Sequence, residues 1–129
     1  MVRRVSLNSL WLGAGWLGVA AVVYFTLVPD PPKLDIEQGD KVQHLVAYAS
    51  LMLWFAQVHT TQTQQRMTAL LLVAMGITLE FAQGLTGYRF ISTADMAANA
   101  AGVGAGWLAA SPRLPNAFAW VSNLFSRRR

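Results

Sequence analysis

The chain contains no cysteine among its 129 residues. Disulfide scaffolds, thiolate metal centres and thiol nucleophiles are therefore excluded, and the redox compartment is left open. Charge is also scarce. Asp, Glu, Lys and Arg make up 12% of the chain, about half the share usual in a soluble domain. Only six residues are acidic. There is no Gly-x-Ser-x-Gly elbow, no Walker loop and no His-x-x-x-His pair, which removes the commonest hydrolase, nucleotide and zinc signatures. The net charge of +4 is not a nucleic-acid signal. Three of the ten basic residues are the terminal run Arg127–Arg129, and no basic stripe alternates with aromatics.

What is abundant is apolar sequence. Hydrophobic residues reach 54% and mean hydropathy is positive. A single small domain has a high surface-to-volume ratio and needs polar residues to cover it. This chain has too few, so lipid is the expected solvent for much of its surface. Leu10 to Val28 is uncharged and long enough to cross a hydrocarbon core of about 30 Å as a helix. Pro29, Pro31 and Pro32 end it. Arg3 and Arg4 resemble the basic start of a signal peptide. The apolar stretch is too long for one, however, and bulky Tyr24 and Phe25 stand where an Ala-x-Ala site would be needed.

Three more helices are expected at about 41–59, 67–83 and 93–110. Each is apolar nearly all round, without the polar face of a surface helix. The expected fold class is all-α: one domain spanning 1–129, a polytopic bundle of four transmembrane helices. In the fourth helix Ala94, Ala98, Gly102 and Gly106 recur every four residues. Small residues allow close backbone approach in lipid, so this stripe reads as an internal packing face, with a homodimer seam as the alternative. After Pro112 and Pro115, the segment 116–125 places Ala117, Trp120, Val121, Leu124 and Phe125 on one face, as in an amphipathic helix lying on a membrane surface.

Lys and Arg collect on the cytoplasmic side of short loops. With both termini inside, the inner side holds Arg3, Arg4, Arg66, Arg113 and Arg127–Arg129, and the outer side only Lys33, Lys41 and Arg89. The acids played no part in that choice. Yet Asp30, Asp35, Glu37, Asp40, Glu80 and Asp95 all fall on the outer side.

Those outer ends carry the chemistry. Lys41, His44 and Tyr48 are three and four residues apart and share one helical face. Glu80 and Gln83 are three apart at the end of the third helix; Asp95 and Asn99 are four apart at the start of the fourth. Arg89 lies in the connection between these two, with Ser92 or Thr93 as the helix cap. Ionisable groups in a membrane segment are costly. Glu80 and Asp95 are therefore expected to pair with Arg89, Lys41 or His44. The plainest reading is a structural polar clamp joining three helices.

The series Asp40-Lys41-x-x-His44-x-x-x-Tyr48, Glu80-x-x-Gln83 and Arg89-x-x-Ser92-x-x-Asp95-x-x-x-Asn99-x-x-Gly102 resembles the VanZ-like family of small bacterial membrane proteins. The resemblance runs from about Tyr24 to Gly106. It implies a multi-pass protein of the bacterial inner membrane and cell envelope, and an association with low-level resistance to the glycopeptide teicoplanin. It implies no established reaction.

Two functions compete. In the first, Lys41, His44, Tyr48, Glu80, Gln83, Arg89, Asp95 and Asn99 bind a membrane lipid headgroup, a lipid-linked cell-wall precursor or a membrane protein partner. Arg89 and Lys41 suit an anionic group, Arg89 in bidentate fashion. In the second, less favoured, the chain is an intramembrane enzyme. His44 is then the base or nucleophile, oriented by Glu80 or Asp95, and a phosphorylated lipid is the substrate. A histidine with two carboxylates is also a facial-triad donor set, but the favoured reading assigns no metal and no cofactor.

Overall fold

The computed structural model describes residues 6–110 and 114–127. Arg3, Arg4, Pro112, Arg113, Arg128 and Arg129 lie outside the described residues. Within them the chain forms five helices and no strand: α1 Leu7–Leu27, α2 Gly39–Ala56, α3 Gln62–Leu85, α4 Thr93–Ala109 and α5 Ala117–Ser126.

Local chemistry sets the helix starts. Ser6, Thr61, Ser92 and Asn116 each accept a hydrogen bond from the N–H three residues on, satisfying a donor the helix cannot. Thr61 and Gln64 form a full capping box. That box starts α3 five residues before the apolar run that suggested Met67. α2 begins differently: Gln38 takes a left-handed conformation (φ 58°) ahead of Gly39.

α2 is the central element, burying Tyr48, Leu51, Met52, Phe55 and Ala56. α4 runs parallel to it at close range. A side chain at Gly102 would strike the backbone carbonyl of Leu45; at Gly106 a Cβ would lie 2.5 Å from the Ala49 carbonyl oxygen and 2.9 Å from Met52 Cβ. The Gly-x-x-x-Gly pair is therefore engaged within the chain, against α2. The rest of the proposed stripe needs correction: Ala94 is exposed and Ala98 only half-buried. The inward face of α4 is Asp95, Asn99, Gly102, Val103 and Gly106, so packing and polar residues share one side.

α3 lies antiparallel to α4, and α1 covers α2 and α3 from outside. Trp11 and Trp54 pin α1 to α2. Their rings stack with centroids 4.2 Å apart, and each indole N–H donates to the other residue's carbonyl, at 3.2 and 2.8 Å. At that same end α5 packs through Phe118 on Trp11, while Gln57 accepts from the Ala117 N–H and its carbonyl from the Asn116 amide. Trp120, Leu124 and Phe125 remain exposed.

The interior is mixed, with buried polar groups beside an apolar core, and much of the exterior is apolar. The buried face of α3 includes Gln65, Thr68, Glu80 and Gln83, whereas Leu70, Leu71, Ile77, Phe81 and Leu85 face outward. Soluble monomers rarely expose so continuous an apolar surface. By length and composition α1 and α3 can cross a membrane. α2 and α4, with 18 and 17 residues, span roughly 27 and 25 Å, less than a full hydrocarbon core.

Candidate functional site

The polar residues singled out in the sequence meet at one end of the bundle. Contributors are the end of α1, the start of α2, the end of α3, the α3–α4 connection and the start of α4. Gln83, Glu80, Asp95, Asn99 and Tyr48 are all buried, and His44, Lys41 and Arg89 are intermediate. Helical spacing explains the convergence: each pair lies three or four residues apart and so falls on one face, and each face points inward.

The proline-terminated end of α1 positions one half of the site. A helix leaves its last carbonyls without partners. Here Gln83 Nε2 and Arg89 Nη1 both donate to the Thr26 carbonyl, at 2.7 and 3.0 Å, and the Tyr88 hydroxyl donates to the Leu27 carbonyl at 2.6 Å. A cation at a helix C-terminus also meets the negative end of its dipole. Sequence spacing did not reveal Thr26, Leu27 or Tyr88, since carbonyl partners leave no residue-type signal beyond the prolines that follow.

The other half lies between α2 and α4. Lys41 Nζ bridges Asp40 at 2.8 Å and Asp95 at 3.1 Å. His44 Nδ1 lies 2.8 Å from Asn99 Oδ1, and its Nε2 is 3.9 Å from Asp95. Ser92 caps α4 through its hydroxyl while its backbone N–H donates to Glu80 Oε2 at 2.8 Å.

Asp95 therefore pairs as the sequence suggests, with Lys41 and His44. Glu80 does not. Among the described residues no basic group comes within ion-pairing distance of it. Arg89 turns to α1 instead, because the orphan Thr26 carbonyl is its hydrogen-bonded partner. One ligand atom from each of His44, Glu80 and Asp95 lies within 4.8 Å of the other two.

A groove of about 440 Å³ opens beside this cluster, between α1, the 28–38 loop and α2. Val22, Phe25, Val46 and Ala47 form its apolar wall; Lys33, Asp40, His44 and Arg89 line its polar end. Gln43 holds the loop by donating to the Pro32 carbonyl at 3.0 Å. Sequence spacing does not reveal Lys33, because isolated in a loop it shares no helical face with the other polar residues. The far end carries a separate polar set, in which His59 Nδ1 contacts the Thr68 hydroxyl at 2.7 Å and the Trp107 indole donates to Gln65. No protein-family model, curated protein or solved structure matches the chain.

Proposed function

We propose that the chain is a four-helix integral membrane protein of the bacterial cell envelope, VanZ-like in its motif series, that binds an anionic amphiphile at an outward-facing polar end. The amphiphile is a phospholipid or a lipid-linked cell-wall precursor, and both termini face the cytoplasm. The groove carries this reading. Its apolar wall suits an acyl or prenyl chain, and Lys33 and Arg89 at its polar end suit a phosphate. Arg89 spends one nitrogen on Thr26 and has further N–H groups for a ligand. The outward Leu, Ile and Phe residues of α1 and α3 support burial in lipid, and slightly short spans at α2 and α4 are accommodated by local thinning at modest cost.

The test is native mass spectrometry of the full-length protein from mild detergent. One anionic lipid should be retained, and Lys33→Ala should reduce its retention without lowering thermal stability, since Lys33 ties no helices together. Retention indifferent to headgroup charge would exclude the site. For sidedness, a cysteine introduced by Glu37→Cys should react with an impermeant reagent in intact cells, and one introduced by Arg66→Cys only after lysis. The opposite pattern reverses the topology.

A structural clamp is the second reading, favoured by the part-buried bonds from Gln83 and Arg89 to Thr26, Ser92 to Glu80 and His44 to Asn99. It predicts that Lys33→Ala changes nothing and that Gln83→Leu lowers stability alone.

A further inference from the structure

Glu80 is the least explained group at the polar end. It is 1% exposed. Its Oε2 accepts from the Ser92 N–H, but Oε1 has no hydrogen-bond partner. A buried carboxylate without a counter-charge is costly, and the two nearby cations are committed elsewhere. Lys41 is shared between Asp40 and Asp95, and Arg89 donates to Thr26.

The surroundings of Glu80 are rich in electron pairs. The Asn99 amide turns its oxygen to His44 Nδ1. An amide oxygen only accepts, so Nδ1 is the donor in this contact, and the tautomer of imidazole that ligates a metal then has its lone pair on Nε2. That lone pair faces Asp95 Oδ2 at 3.9 Å. Asp95 itself is 6% exposed, and its Oδ1 meets Lys41 Nζ at 3.1 Å outside hydrogen-bond geometry. Imidazole nitrogen and two carboxylates thus point toward one small volume.

We propose that His44, Glu80 and Asp95 form a site for a divalent first-row metal ion. One nitrogen and two carboxylates suit Mn²⁺, Fe²⁺ or Zn²⁺ better than the all-oxygen preference of Ca²⁺ or Mg²⁺. Metal–ligand bonds of about 2.0–2.2 Å put tetrahedral ligand atoms roughly 3.4 Å apart. From a present separation of at most 4.8 Å, the ligands close by about 1.4 Å or less, a movement within side-chain reach. The supporting shell exists already: Asn99 orients the imidazole, and the Ser92 N–H orients the Glu80 carboxylate. This departs from the sequence reading, which assigned no metal. Spacing along separate helices could not show that the three groups meet. The site does not depend on a lipid in the groove, although His44 borders both.

The test uses full-length protein purified on a tag without histidine, stripped with chelator and titrated with Mn²⁺. Electron paramagnetic resonance should count one bound equivalent, displaced by Zn²⁺. Pulsed measurements on the wild-type protein should show nitrogen coupling from one imidazole, and His59→Gln, at the far end, should retain it. Asn99→Ala should weaken binding about 10–100-fold, and Glu80→Gln should remove saturable binding. Folded wild-type protein that takes neither Mn²⁺ nor Zn²⁺, or a bound ion without nitrogen coupling, overturns the assignment. So does Glu80→Gln protein that binds as wild type does. Because the deciding signals come from the wild type, misfolding of a variant cannot rescue the idea.

Discussion

Gly106→Ala should destabilise the bundle, and Gly104→Ala should not, although both replace a glycine in the C-terminal half of α4. At Gly106 the added Cβ would sit 2.5 Å from the Ala49 carbonyl oxygen and 2.9 Å from Met52 Cβ. Ordinary C···O contacts are about 3.3–3.6 Å, so α4 must withdraw by roughly 0.8–1 Å. Overpacking costs about 1–3 kcal/mol, and the upper half of that range applies because the obstruction is backbone. Replacing glycine by alanine in a helix returns about 1 kcal/mol. The net loss is about 1–2 kcal/mol. At Gly104 nothing lies within 4 Å of the new atom, so only the gain remains. The two variants should therefore differ by about 2–3 kcal/mol, with helix propensity cancelling between them. For a chain of this size that is roughly 8–12 °C in melting temperature. Tryptophan fluorescence during thermal unfolding in one detergent measures it. Equal melting temperatures, or a more stable Gly106→Ala protein, would refute the close α2–α4 contact on which the site's geometry rests.

Other expectations follow from single interactions. Trp54→Phe keeps a ring against Trp11 but loses the indole donor to the Trp11 carbonyl; it should cost about 0.5–1.5 kcal/mol in the same melting assay, and an unchanged midpoint would discount that bond. Ser92→Ala should cost about 1 kcal/mol through loss of the α4 cap yet preserve metal loading, because Glu80 contacts the Ser92 backbone rather than its hydroxyl.

Much of the architecture is legible in the residue order. Apolar runs divided by Pro29, Pro31, Pro32 and the Gly84–Ser92 connection mark four helices. The segregation of Glu80, Asp95 and Asp40 from Arg66 shows which helix ends belong together. Three- and four-residue spacings then place Lys41, His44, Gln83 and Asn99 on inward faces. Where the sequence reading fell short, the missing information was a partner. Ala94 follows the small-residue rhythm but is exposed, since the inward face of α4 is the one that carries Asp95, Asn99, Gly102, Val103 and Gly106.

Composition and periodicity alone determined the helical class and the gathering of polar groups at one end, because solvation and helix pitch act residue by residue. They also set where α1 stops. Which groups touch was decided by the tertiary structure. An orphan carbonyl at Thr26 draws Arg89 away from Glu80, and a glycine pair brings α4 close enough for Asn99 to reach His44. Such choices depend on distances between segments remote in the chain, and local sequence carries no measure of those distances.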